Sequence, residues 1–313
     1  MKSLFIVAAA AALCCLNMNA QQQQQQQKKV SILQIMNVKT GKTAVVKEFP
    51  GIIEAPNWTP DGKWLVYNSN GKLYKIAVDG KSDPILIPTG EANNCNNDHV
   101  ISKDGKQIGI SSSVIKDKSY SSVVYTVPFE GGEAKRITPD GMSYLHGWSP
   151  DLKTLAFCGS RNGARQLDVY TISVNGDNEK QLTTTDGLDD GPEYSPDGKQ
   201  IWFNSVRTGL MQIWLMNADG SNQTQMTFDK DFNSWFAHIS PNGKLIVYIA
   251  YHKGDLEPGQ HVADKNVVLR LMPAKGGTPK TILQLFGGQG TLNVNSWAPD
   301  SKRFAFVSYR YEK

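Results

Sequence analysis

The chain has 313 residues, 40% of them hydrophobic and 20% charged, with a formal charge of only +4. No block of basic residues stands out, so the sequence offers no electrostatic footprint for a nucleic acid partner. The 28 Gly and 15 Pro are spread along the chain and point to many short strands joined by tight turns.

In chain order, residues 1–20 read as an export signal. Lys2 supplies the positive start, and Leu4 to Leu16 is an apolar run too short to span a bilayer by itself. Cleavage after Ala20 would release a periplasmic or secreted product. Cys14 and Cys15 raise lipoprotein anchoring as an alternative, but Leu13 stands where a small residue is needed before a lipidated cysteine. Residues 21–29 form a Gln-rich, disordered tether, and 30–313 is expected to be one domain. No later segment is apolar enough to cross a membrane. The mature chain would keep Cys95 and Cys158 only, which is no disulfide framework. Cys158 ends the apolar run from Thr154 and is expected to be a buried free thiol.

The strongest signal is an internal repeat. Six segments share one turn pattern: Trp58 to Lys63, Ile101 to Lys106, Trp148 to Lys153, Tyr194 to Lys199, Ile239 to Lys244 and Trp297 to Lys302. Their Asp or Asn positions are 61, 104, 151, 197, 242 and 300, with gaps of 43, 47, 46, 45 and 58 residues. A period in the mid-forties fits four short strands and their turns, one propeller blade. In each turn Pro sets φ, Asp or Asn bonds its own backbone, and Gly accepts positive φ. Alternating strands follow, such as Trp64 to Tyr67, Ile201 to Phe203 and Phe304 to Val307. Asp79-Gly80 and Asp219-Gly220 then mark a second hairpin. The last motif is followed by one strand only, while the first is preceded by a hairpin without a motif, Val30 to Met36 and Thr43 to Phe49. The expected fold is therefore all-β, a six-bladed β-propeller with four antiparallel strands per blade, its last blade closed by N-terminal and C-terminal strands.

These six segments resemble the repeats of the TolB-like propellers, the WD40-like PD40 family. The resemblance covers about residue 30 to 313. It implies the propeller fold. Bacterial TolB also carries a separate N-terminal domain, for which this chain has no room, so a role in the Tol–Pal envelope system is not implied.

The uniform Pro-Asp-Gly turns mark one face of such a ring. The opposite face carries the variable loops: Glu54, Asn93 to His99, Tyr144, His146, Asp189, Asp190, Glu193, Trp235, His238, Asn293 and Asn295, then Lys116 to Tyr120, Arg161, Arg165, Arg207 and the insertion Tyr251 to Lys265 with His252 and His261. All five histidines map to this face. His99 and His146 share an aligned column in neighbouring blades, two residues before the Ile or Trp of the motif, and His238 lies one column off. Imidazoles beside carboxylates suit a divalent metal or acid–base work, with His99, His146 and His238 as the metal ligands and Glu193 or Asp190 as the base. The blander reading makes the histidines hydrogen-bonding loop residues and Asp189-Asp190-Gly191 a solvated turn. Arg161 and Arg207 recur in neighbouring hairpins. They read either as cationic contacts for a ligand or as an internal echo at exposed hairpin tips. Trp235 reads as a sugar-stacking platform or as a cover for the core. Glu54, Tyr144, Asn293 and Asn295 complete the ligand-binding candidates. Phe286 to Gly290 lacks the Lys-Ser/Thr of a phosphate loop and is read as the loop into the last blade.

Two functions follow from this face, beside a third reading as a purely structural partner of a larger surface complex. One is a ligand-binding or protein-interaction scaffold for a glycan or an envelope protein. The other is a metal-dependent carbohydrate-active lyase or hydrolase, similar in type to the oligogalacturonate lyases, which are propellers with a histidine-based metal site. Histidines that converge favour the enzyme, and histidines that scatter favour the scaffold.

Overall fold

A computed structural model describes residues 28–164 and 166–312. The expected export signal and nearly all of the tether lie outside the described residues, as does Arg165. The described residues form strands and turns with no helix long and apolar enough to cross a membrane.

Two strands without a turn motif open the described chain, β1 (Lys28–Asn37) and β2 (Thr43–Pro50). Four sets of strands follow in regular order, then a fifth. The first is β3 (Glu54–Trp58), β4 (Trp64–Ser69), β5 (Lys72–Ala77) and β6 (Ile85–Ile87). The second is β7 (Cys95–Ile101), β8 (Gln107–Lys116), β9 (Ser119–Pro128) and β10 (Lys135–Arg136). The third is β11 (Met142–Trp148), β12 (Thr154–Ser160), β13 (Asp168–Ser173) and β14 (Lys180–Gln181). The fourth is β15 (Asp189–Tyr194), β16 (Gln200–Ser205), β17 (Gln212–Asn217) and β18 (Thr224–Gln225). The fifth is β19 (Phe232–Ile239), β20 (Leu245–His252), β21 (Ala263–Pro273) and β22 (Lys280–Gly288), and the chain ends in β23 (Arg303–Glu312). Within each set neighbouring strands pair antiparallel, and one parallel bridge, Met142 to Ser122, joins the second set to the third. The first strands of successive sets touch one another, which puts them at the centre of a β-propeller.

The termini meet as expected. β1 pairs antiparallel with β23 over ten residues, from Lys28 opposite Glu312 to Asn37 opposite Arg303, and β2 pairs outside β1. A bridge from Trp297 to Phe304 adds the inner position of that sheet. β1 starts at Lys28, two residues before the expected domain boundary. Those residues are held by pairing and by the ion pair of Lys29 Nζ with Asp264 at 2.8 Å. Gly287 and Gly288 lie in β22, so only the end of the glycine-rich segment is a loop.

The turns show why the motif reads as it does. Ser149 Oγ donates to Asp151 Oδ1 at 2.6 Å, Lys153 N donates to the same oxygen at 3.1 Å, and Thr154 N donates to Ser149 Oγ at 2.9 Å. The same knot forms around Asp61, Asp104, Asp197 and Asn242. Gly62, Gly105, Gly198 and Gly243 take φ of +69 to +76°, and in the other two copies Leu152 and Ser301 must adopt +66° and +57°. Trp58, Ile101, Tyr194, Ile239 and Trp297, the residues ahead of the turns, are buried. The cluster of Trp58, Leu65, Ile76, Ala298, Ala305 and Val307 sews the first set to the sheet made by the termini.

Candidate functional site

Each central strand carries a β-bulge at its channel end, and the bulges set where site residues point. Glu54 pairs with Asn68 and Asn57 with Val66, so β3 holds one residue more than β4 there. β15 and β19 do the same between Asp190 and Glu193 and between Trp235 and His238. In these three strands Ala55, Gly191 and Phe236, three residues before the motif aromatic or aliphatic, take φ of +55, +61 and +54°. The second and third sets break this pattern. β7 inserts two extra residues between Cys95 and His99, and in β11 the extra residue is His146 itself. A bulge leaves its extra residue unpaired and re-aims the side chain.

The consequence is a polar cavity of about 600 Å³ at the channel mouth. Asp98, His146, Cys158 and Asp190 meet at its floor. His146 Nε2 lies 3.2 Å from Asp190 Oδ1 and 3.9 Å from Asp98 Oδ1. One ligand atom from each of His146, Cys158 and Asp190 falls within 4.8 Å of the others, and all three residues are buried. Burial alone would push His146 down, but the charges of Asp98, Asp190 and Glu193 carry it up to about 9. Burial raises Asp190, yet the hydrogen bond and charge of His146, aided by His261, outweigh it and hold the carboxyl well below its usual range. Asp98 is raised, chiefly by burial, and burial with the Asp190 charge pushes the Cys158 thiol well up.

The rim is a chain of polar contacts. Asn97 Nδ2 donates to Glu54 Oε1 at 3.3 Å, and Gln289 Nε2 donates to Asn97 Oδ1 at 3.2 Å. Gln289 Oε1 in turn bonds His261 Nδ1, and His261 Nε2 faces Asp190 Oδ2 at 3.8 Å. His261 comes from the inserted loop between β20 and β21 and is steered by edge contacts with Trp235 and Phe236. Asn68, Asn94, Asn96 and the half-buried Tyr144 add to the lining, with Cys95 and the apolar Ile52, Leu167 and Phe236 beside them. Burial raises Glu54.

Several expected site residues lie elsewhere or are engaged otherwise. The three histidines do not converge. His99 pairs opposite Ile110 and is wholly enclosed beside the backbone of Ala55 and Val66, without a hydrogen bond of good geometry to either ring nitrogen. The shared column with His146 misleads because the two strands bulge differently. His238 sets its two ring nitrogens against two acceptors, Glu193 Oε2 at 2.7 Å and Leu292 O at 3.1 Å. Glu193 Oε1 accepts from Ile239 N at 2.9 Å and from Asn295 Nδ2 at 2.6 Å. Glu193, His238 and Asn295 thus clamp neighbouring sheets together, and no oxygen of Glu193 is left to act as a base. Asn293 is buried, its Oδ1 accepting from Gly290 N. Trp235 is fully buried in the core and presents no platform. Asp189 and Asp190 are buried in β15, not in a solvated turn.

The two arginines are an echo, but not exposed tips. Arg161 forks onto Glu179 at 2.8 Å and lies over Phe157 and Tyr170. Arg207 bonds Asp189 Oδ2 at 2.9 Å and lies over Phe203 and Trp214. His252 is exposed against Phe232. Three residues that matter at the site lacked individual signals in sequence: Asp98 fell inside a flagged segment, Cys158 read only as a buried thiol and Gln289 as loop, whereas His261 was named with the histidines of the variable face. Cys158 is buried and free as expected, but it is also the residue that faces Tyr144 across β11 and β12, which brings it to the floor.

Comparison with known proteins agrees with this architecture. Residues 140–272 match the family described as the TolB beta propeller domain. The chain is 43% identical over 279 residues to the uncharacterized protein Atu1656 of Agrobacterium fabrum, an alignment covering 89% of this chain and 92% of that one. It superposes on a solved structure from Agrobacterium tumefaciens, provisionally assigned as a TolB, with a TM-score of 0.84 and 42% identity, covering 90% of this chain and 99% of that one. It is 27% identical over 216 residues to the Tol-Pal system protein TolB of Francisella tularensis, 67% of this chain but only 48% of that protein.

Proposed function

The chain belongs to the TolB-like family of PD40 β-propellers, and from that premise we propose that it is an exported, six-bladed binding propeller whose mouth cavity takes a neutral or cationic, hydroxyl-rich ligand such as an oligosaccharide. The lining of the cavity carries this reading. Amides of Asn68, Asn94, Asn96, Asn97 and Gln289 stand beside the carboxylates of Glu54, Asp98 and Asp190. Amides and carboxylates together offer the donors and acceptors that vicinal hydroxyls need, and the half-buried Tyr144 ring can lie against the flat face of a sugar. The sign of the charge disfavours an acidic ligand, because three carboxylates outnumber the imidazole cation of His146 in the cavity, while Arg161 and Arg207 are committed to Glu179 and Asp189. Sugar acids are the substrates of the lyase alternative, and that reading also loses its expected histidine triad.

Export places such a propeller in the periplasm or outside the cell. The six turn motifs and the joined termini support the blade count. The test is an oligosaccharide array spanning neutral, amino and acidic glycans, probed with wild type and with Asn97→Ala. Binding confined to neutral or amino glycans and weakened at least about tenfold by Asn97→Ala is expected, since one good hydrogen bond in a desolvated site is worth roughly 1.4 kcal/mol. Binding to acidic glycans alone, or to none, would sink the reading.

A further inference from the structure

The floor of the mouth cavity holds a soft thiol, an imidazole and a carboxyl side by side, with Gly191 N also donating to Asp190 Oδ1 at 2.6 Å. His146, Cys158 and Asp190 come from β11, β12 and β15, and so from two adjacent sheets. Their ligand atoms all lie within 4.8 Å of one another. A tetrahedral ion with bonds of about 2.0–2.3 Å to N, O and S would hold its ligands about 3.3–3.6 Å apart. His146 Nε2 and Asp190 Oδ1 stand 3.2 Å apart, already close to that edge. A second feature points to the same place. His261 Nδ1 bonds the side-chain Oε1 of Gln289, and its Nε2 faces Asp190 Oδ2, 3.8 Å away, so a second imidazole borders the same carboxyl.

We infer that His146, Cys158 and Asp190 form a binding site for a zinc-type divalent cation, with His261 on the inserted loop bordering Asp190 from outside the three-ligand set. Thiolate with imidazole and carboxylate selects zinc-like ions over calcium or magnesium, which prefer all-oxygen shells. The site differs from the three-histidine set expected from the repeat alignment. It shares Asp190 with the oligosaccharide reading, whose other contacts are the amide-lined walls above it.

The test uses the full chain, stripped with chelator and titrated with Co²⁺ as a spectroscopic stand-in. One equivalent should bind with intense tetrahedral visible bands and a thiolate-to-cobalt charge-transfer band, and Zn²⁺ should displace it. Cys158→Ser should abolish the charge-transfer band and weaken binding at least about tenfold. Cys95→Ser should change neither, because that thiol, though it also lines the cavity, donates to Ala92 O and lies outside the three-ligand group. If Cys158→Ser does not fold, Asp190→Asn decides instead: weakened uptake with the charge-transfer band retained supports the site, and unaltered affinity overturns it. Absence of saturable one-to-one uptake by the native chain, or a charge-transfer band that survives Cys158→Ser, also overturns it. Oligosaccharide binding measured on metal-free protein keeps the two readings separable.

Discussion

His99 is a neutral imidazole enclosed by apolar packing, and burial pulls its pKa down from the ordinary 6.5 to about 4. Below pH 6.5 the unfolded chain takes up a proton that the folded chain refuses, so His99 costs stability progressively as pH falls from 6.5 to about 4. The full loss is roughly 3 kcal/mol at one pKa unit per 1.36 kcal/mol. His99→Gln should therefore flatten the fall in denaturation midpoint between neutral pH and pH about 4.5, by an amount that equilibrium unfolding at the two pH values reads directly. An identical acid dependence in the variant would mean that His99 is not buried neutral. Glu193 makes a complementary case. Its carboxylate accepts bonds from His238, Ile239 N and Asn295, so Glu193→Gln should lower stability by about 1–3 kcal/mol in urea. A freely solvated catalytic base would leave the midpoint unchanged.

At the scale of elements, the turns and the bulges behave differently. The turn knot is made by residues at most five apart, as Ser149, Asp151 and Thr154 illustrate, so its chemistry is written locally and reads straight from sequence. Where a copy departs from the motif, the cost is also local. Leu152 holds φ of +66° that glycine takes freely, and Leu152→Gly should raise stability by up to about 1 kcal/mol, seen as a higher melting temperature. Bulges are the opposite case. Whether β7 or β11 inserts an extra residue depends on the register of the partner strand, which no spacing along one strand reveals. This is why His99 and His146, alike in the repeat, end in different environments, and why Cys158 and Asp98 could not be assigned to the floor. Gly191 shows how tightly a bulge is built. A Cβ there would meet Asn204 Oδ1 at 2.6 Å at a φ of +61°, so Gly191→Ala should destabilise by about 1–3 kcal/mol. Ala55, which already occupies the equivalent conformation in β3, marks the contrast.

For the whole molecule, the joined termini explain how one chain holds a cavity whose walls come from several sheets. Ring closure was legible because it is a matter of counting strands against motifs. It predicts that Ile32→Cys with Ser308→Cys, directly opposed across β1 and β23, oxidises to a monomeric crosslink that raises the melting temperature. Crosslinks found only between molecules would contradict it. The channel has two ends, and His146 borders both the mouth cavity and a funnel of about 460 Å³ on the opposite face, ringed by Pro60, Pro150, Pro196, Pro241 and Pro299. The proposed ligand site is the mouth, where the repeat is broken, and not the funnel, where it is kept. Calorimetric affinity for the best array ligand, compared among Asn97→Ala, Tyr144→Ala and Lys103→Ala, tests this most directly. A ligand seated in the mouth predicts losses of about tenfold or more for the first two and none for Lys103→Ala. Loss with Lys103→Ala alone would move the site to the other face and contradict the assignment.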